Sequence, residues 1–93
     1  MSEYQIRQTS QFKKDLKRLI KQGKDIDKLT SAVDTLASGE ILETKYRDHS
    51  LGNNWAGFRD CHIEPDWVLI YKKQDDILIL TLTRSGSHTE LEL

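Results

Sequence analysis

Hydrophobic and polar positions along this chain fall into short, well-separated patterns. Tyr4-Gln5-Ile6-Arg7-Gln8 alternates, the period of a strand. Thr9 or Ser10 then offers an N-capping hydroxyl. Phe12, Leu16, Leu19 and Ile20 recur on one helical face, so residues 10 to 22 read as an amphipathic helix with Gly23 at its C-cap. Asp25 or Asp27 can cap a second helix, whose stripe is Ile26, Leu29, Val33, Leu36 and Ala37 and which Gly39 ends. So short a connection predicts an antiparallel helical hairpin, and two facing stripes can cover one side of a sheet.

Residues 40 to 54 lack sustained periodicity and read as the longest irregular segment, with the polar, turn-rich run Tyr46 to Asn54. A strand is predicted from about Trp55 to Ile63, followed by a turn at Glu64-Pro65-Asp66. Trp67-Val68-Leu69-Ile70-Tyr71 is apolar on both faces and reads as a central strand. Lys73-Gln74-Asp75-Asp76 is a second hairpin turn, and Ile77 to Leu82 another doubly apolar strand. The order β-α-α-β-β-β predicts an α+β fold: an antiparallel sheet with the helical hairpin packed on one face.

Ninety-three residues make one domain, spanning 1 to 93, with room for one sheet and a helical hairpin around a small core. No apolar run approaches the roughly 18 to 20 residues that cross a bilayer, so no membrane association is expected. The polar N-terminus from Met1 to Gln5 lacks a signal-peptide core. A single cysteine, Cys61, excludes an intrachain disulfide framework, and the cytoplasm is the expected compartment. The net charge of −1 argues against a generic nucleic-acid binder. Its distribution changes that picture. Residues 10 to 24 hold Lys13, Lys14, Lys17, Arg18, Lys21 and Lys24 against Asp15 alone, a local basic patch on the first helix.

Candidate chemistry lies in the second half. His49, His62 and His88 each sit at or near the end of a regular segment, and imidazole suits proton transfer near neutral pH. Asp66 and Trp67 follow His62 across the turn, and Arg59 and Arg84 lie on strands. RNA carries its own nucleophile, the 2′-OH. Its cleavage needs a base for that proton, an acid for the 5′-O leaving group and a cation for the phosphorane. Two of His49, His62, Asp66 and His88 can serve as base and acid. Arg84 or Arg59 can hold the phosphate, and Trp67 can stack on a base. A regular strand puts Arg59 and His62 on opposite faces, so both line one site only through a bulge or strong twist. Cys61, also facing away from His62, reads as a small buried hydrophobe. The spacing of Cys61, His49, His62, Asp66 and His88 matches no standard metal pattern.

Three blocks together resemble the YafQ branch of the RelE/ParE toxin superfamily: Tyr46 to Leu51, Trp55 to Tyr71, and Arg84-Ser85-Gly86-Ser87-His88. The resemblance extends over essentially the whole chain and implies a RelE-like fold. It implies a type II toxin: a bacterial endoribonuclease that enters the 30S A site of the ribosome and cuts mRNA there, without metal or cofactor. A DinJ- or RelB-like antitoxin would hold it inactive, and operator DNA would be met only through that complex. The set it implies is His49, His62, Asp66, Arg84 and His88, with Trp67 on the substrate; Arg59 remains a substrate-binding candidate from the residues alone. His88 with Asp66 would protonate the leaving group, and His49 or His62 would be the base. Lys13, Lys14, Lys17, Arg18 and Lys21 would meet rRNA or an acidic antitoxin helix. One departure stands out. The family commonly has Phe four residues after the terminal His, and this chain has Glu92, which cannot stack and would repel phosphate.

Two other readings share the fold. A gyrase-poisoning, ParE-like toxin needs no acid–base residues, which the histidines and Asp66 argue against. A catalytically weak toxin acting mainly as a co-repressor with its antitoxin is favoured only by Glu92.

Overall fold

The computed structural model describes residues 3–93, so the polar start read at Met1 and Ser2 lies partly outside the described residues. Strand β1 (Gln5–Gln8) leads into α1 (Ser10–Lys21), and α2 (Ile26–Ala37) follows. The Thr9 hydroxyl caps α1 by accepting from the Phe12 N–H at 3.0 Å. Gly23, at φ +75°, ends it: its N–H bonds the Ile20 carbonyl and the Lys24 N–H that of Leu19, the paired closure of a Schellman motif. The Asp25 carboxylate caps α2 from outside by accepting the Asp27 N–H at 3.1 Å.

The segment expected to be irregular contains a 3₁₀ turn (Thr44–Tyr46) and the two-residue strand β2 (His49–Ser50). The strand expected from Trp55 starts later. Asn53–Trp55 is a second 3₁₀ turn, Gly57 adopts φ +91°, and β3 is Arg59–Glu64. β4 (Trp67–Gln74) runs three residues beyond the predicted end, which moves the next turn onto Asp75–Leu78. Ile77 and Leu78 are therefore exposed turn residues, and β5 is Ile79–Gly86. Hydrophobicity there came from turn positions, which carry no period of their own.

The sheet order is β1-β5-β4-β3-β2. β2–β3, β3–β4 and β4–β5 pair antiparallel as the hairpins require, but β1 runs parallel to β5, so the sheet is mixed. The helical hairpin carries the chain off the sheet after β1. No turn therefore ties β1 to an antiparallel neighbour, and it takes the free edge of the last strand. Phe12, Leu19, Leu29, Val33 and Leu36 of the helices pack on Cys61, Trp67, Leu69, Tyr71, Leu80 and Leu82. Ile20, expected in that stripe, is 57% exposed, because Leu19 already fills the position facing the sheet. On the other face Val68 and Ile70 are covered by Leu91, Leu51, Trp55 and Phe58. β4 is thus apolar on both sides because both are covered.

Candidate active site

Sheet register decides which polar side chains meet on the face away from the helices. Asp60 stands opposite both His49 and Ile70, and His62 opposite Val68. Across β4, Ile70 faces Arg84 and Val68 faces Gly86. Directly opposed residues share a face, so His49, Asp60, His62 and Arg84 stand together over Val68 and Ile70. Two irregularities shape this set. A register shift between Ile70 and Tyr71 leaves Thr83 as the extra residue, turning Arg84 away from the face of Leu82. A second shift, between His62 and Glu64, turns Glu64 toward the helices, where it pairs with Lys28 at 2.9 Å.

The imidazoles form a row. Ring centroids are 6.4 Å apart for His49–His62 and 5.2 Å for His62–His88. His62 Nε2 lies 3.2 Å from His88 Nε2, and His88 Nδ1 lies 2.8 Å from Asp66 Oδ1, which also accepts the His88 backbone N–H at 3.2 Å. His49 Nδ1 sits 2.8 Å from the Arg47 carbonyl and 3.1 Å from Asp60 Oδ1. A carbonyl only accepts, so Nδ1 carries the proton and His49 Nε2 is left as a lone pair. Arg47 makes that contact from a left-handed conformation at φ 48°.

The surroundings tune the charged groups. Burial raises the Asp60 carboxyl above the usual carboxylate range, opposed by His49, His62 and His88 around it. Burial lowers His62, partly offset by Asp60, so His62 favours the neutral ring, and its buried Nδ1 has no protein partner. The hydrogen bonds from the His88 side chain and backbone hold Asp66 below its ordinary value. Burial pushes the Cys61 thiol up, and Cys61 lies on the helix face as a buried hydrophobe. Among the described residues no group of three or more His, Cys, Asp or Glu is arranged to hold a metal.

A buried network fixes the frame behind these groups. Asp15, 1% exposed on α1, accepts from Arg84 Nε at 2.7 Å and Nη2 at 3.1 Å, Arg18 Nη1 at 2.9 Å and the Ser85 N–H at 3.1 Å. Beyond β5, the Ser87 N–H donates to Glu90 Oε1 and the Glu90 N–H to Ser87 Oγ, a reciprocal capping box around His88. Arg18 joins the two, with Nη2 on the Ser85 carbonyl at 2.9 Å and Nε 3.0 Å from Glu90 Oε2.

Three sequence expectations need correction. Trp67 is 1% exposed in the core under the helices, its indole N–H bonding Ser85 Oγ at 2.9 Å, so it has no face to offer a base. Arg59 stands opposite Tyr71 on the helix-side face and pairs with Asp48 at 3.2 Å. The nearby bulge falls after His62, not between Arg59 and His62, so it does not reunite them. Arg18 is spent on Asp15, Ser85 and Glu90, whereas Lys13, Lys14, Lys17 and Lys21 remain exposed. Asp60, Asp15 and Glu90 were missed as site residues. Ser87-His88-Thr89-Glu90 is a readable capping-box pattern, and Asp60 alternates with His62. Asp15 looked like the lone acid of a basic face, with nothing local to mark it as buried.

Imidazoles and carboxylates aligned on an open sheet face, behind which helices form a separate core, define a small α+β protein with proton-transfer groups gathered on one face. Comparison with known proteins narrows the class. Residues 4–93 match the family described as the bacterial toxin of type II toxin-antitoxin system, YafQ. The mRNA interferase toxin YafQ of Escherichia coli strain B/BL21-DE3 is 40% identical over 92 residues, 98% of each chain. A crystal structure of YafQ from E. coli strain BL21(DE3) superposes with a TM-score of 0.89 at 39% identity, covering 95% of this chain and 97% of that one. The E. coli DinJ-YafQ toxin-antitoxin complex contains a chain matching at a TM-score of 0.88 and 39% identity, covering 96% and 97%. This chain belongs to the YafQ family of type II toxins.

Proposed function

We propose that this protein is an mRNA interferase, an endoribonuclease that works in the bacterial cytoplasm and cuts mRNA in the ribosomal A site. A DinJ-like antitoxin is proposed to neutralise it, and operator DNA to be met only through that complex. The relatives named as mRNA interferases support the activity, and the DinJ-YafQ complex supports the partner.

The imidazole row carries the chemistry. His49 Nε2, left as a lone pair by the Arg47 carbonyl, takes the 2′-OH proton. The 2′-oxygen bonds to phosphorus as the bond to the 5′-oxygen breaks, and His88 Nε2 delivers a proton to that leaving oxygen. The products are a 2′,3′-cyclic phosphate and a free 5′-OH. Asp66, bonded to His88 Nδ1, orients the ring and balances its charge while Nε2 carries the proton. His62, between the two and biased to neutrality by burial, faces the phosphate and accepts from His88 until substrate displaces it. Arg84, with Nε and Nη2 fixed by Asp15, presents its remaining N–H groups to the phosphorane oxygens.

The observation that carries this reading is the Asp66–His88–His62 relay at 2.8 and 3.2 Å. The test is cleavage of mRNA on programmed ribosomes, mapped by primer extension. Cuts within the A-site codon are expected, and His88→Ala should slow them roughly a hundredfold or more. Cuts that persist unchanged in His88→Ala would remove His88 as the acid. An absence of cuts by the wild-type protein would overturn the endoribonuclease reading.

A further inference from the structure

His88 lies beyond the end of β5, on a single turn closed by the Leu91 N–H on the Ser87 carbonyl at 3.1 Å and the Leu93 N–H on the His88 carbonyl at 2.9 Å. Asp66 holds its ring, but the Asp66 side chain is itself 73% exposed, on the turn between β3 and β4. A contact between two exposed groups orients the ring and ties the turn to the sheet only weakly. Proton transfer to a leaving oxygen needs more, because the donor atom must sit within about 0.5 Å of its working position.

Firmer anchors hold the turn on both sides. On one, buried Leu91 packs with Val68 and Ile70. On the other, Glu90 uses both carboxylate oxygens. Oε1 accepts the Ser87 N–H at 2.9 Å, while Oε2 lies 3.0 Å from Arg18 Nε and accepts from Gln22 Nε2 at 3.3 Å. Arg18 and Gln22 stand one helical turn apart at the end of α1. Arg18 is a fixed partner, with Nη1 on Asp15 and Nη2 on the Ser85 carbonyl, both at 2.9 Å. The packing is close: a Cβ added at Gly86 would stand 2.5 Å from Arg18 Nη2 and 3.0 Å from Glu90 Oε1. The Ser87 N–H above all, with Gln22 and Arg18, holds the Glu90 carboxyl below its usual range against the cost of burial, so the clamp is charged at neutral pH. Asp15 also fixes Arg84. One frame on α1 therefore carries the phosphate-holding cation directly and the turn of His88 through Glu90.

Resting on the endoribonuclease reading above, we propose that Glu90 is a positioning residue for His88: clamped to α1 by Arg18 and Gln22, it sets the turn so that His88 Nε2 reaches the leaving 5′-oxygen. Glu90 touches neither substrate nor the reacting atoms and acts only through the acid step.

The experiment measures single-turnover cleavage of ribosome-programmed mRNA by wild type, Glu90→Ala, Glu90→Gln and His88→Ala. Each protein is given two mRNAs that differ in one atom, the scissile 5′-oxygen or a sulfur in its place. In the sulfur mRNA the 2′-oxygen bonds to phosphorus as the P–S bond breaks, and the thiolate leaves without a proton, so no acid is required. On the oxygen mRNA, Glu90→Ala should lower the rate at saturating protein about tenfold, less than His88→Ala does, with the half-saturating concentration little changed. On the sulfur mRNA both variants should cut close to the wild-type rate. Glu90→Gln, whose amide oxygen still accepts the Ser87 N–H, should restore most of the oxygen rate. The sulfur-to-oxygen ratio is taken within one protein, so a fraction that fails to fold leaves it unaltered. Glu90→Ala cutting the oxygen mRNA at the wild-type rate, or slowed equally on both mRNAs, would overturn the proposal while the endoribonuclease reading stands. No cutting by wild type would overturn both.

Discussion

Asp60 is a carboxylate held at 3% exposure among three imidazoles, and its energetics run against its stability. Its folded pKa lies above the unfolded one, so the folded state holds the proton more tightly. Its contribution to stability therefore falls as pH rises from the unfolded value through the folded one. At neutral pH the ionised form is a cost, partly offset by the imidazoles of His49, His62 and His88 around it. Asp60→Asn is expected to raise stability by about 1 kcal/mol at pH 7 and to flatten that pH slope, while cutting roughly tenfold more slowly. Urea melts at pH 3 to 7 beside a cleavage assay check it. A variant both less stable and fully active would show that Asp60 serves packing alone. Trp55 and Trp67 are equivalent in composition and both lie in predicted strands. Register and turn geometry bury one with the helical core and leave the other half-buried on the open face.

Between elements, the decisive bond is α1 to β5. Burial opposes the Asp15 charge, but hydrogen bonds from Arg84, Ser85 and Arg18 outweigh it and hold its carboxyl below the usual range. With the folded pKa depressed, its contribution is present above the unfolded value and lost as pH falls through the folded one. Asp15→Asn should therefore cost about 2 kcal/mol at pH 7, and the deficit against wild type should shrink in acid below about pH 4. Thermal melts across pH 2.5 to 7 give the comparison; a deficit that is constant with pH would mean that shape, not charge, is what Asp15 supplies. The same variant frees Arg84, so kcat should fall more than KM rises. The helices themselves were legible, because caps and 3.6-residue periodicity are local. The β3 start was not. Trp55-Ala56-Gly57-Phe58 alternates like a strand, yet Asn53–Trp55 closes a 3₁₀ turn and Gly57 is left-handed.

For the whole molecule, charge is segregated. The exposed lysines of α1 lie on the helical layer, and the histidines on the opposite face of the sheet, so one side can be held by a partner while the other works on RNA. Arg18 and Asp15 bridge the two layers. Lys13→Gln combined with Lys17→Gln is expected to weaken ribosome association most at low salt. The log–log salt slope should drop by roughly 1 to 2, about one unit for each phosphate no longer neutralised, without changing where mRNA is cut. Association measured from 50 to 200 mM salt tests this. An unchanged slope would assign the lysine face to the antitoxin only.

Both helices, a choice of two residues for each N-cap, the existence of the C-terminal hairpins and a central strand apolar on both faces are legible in the sequence, because each is written in neighbours a few residues apart. The sequence also marked all three histidines, Asp66 and Arg84, since residue type alone limits which side chains move protons or hold phosphate. The parallel pairing of β1 and the bulge that turns Arg84 onto the face of the histidines emerge only from the tertiary fold. It alone drew together Asp60 with the imidazoles and Asp15 with Arg84, and it exchanged Trp67 for Trp55 on the open face. Those outcomes hang on sheet register, where a shift of one residue reverses which side chains share a face, and register is set by the whole sheet rather than by any single strand.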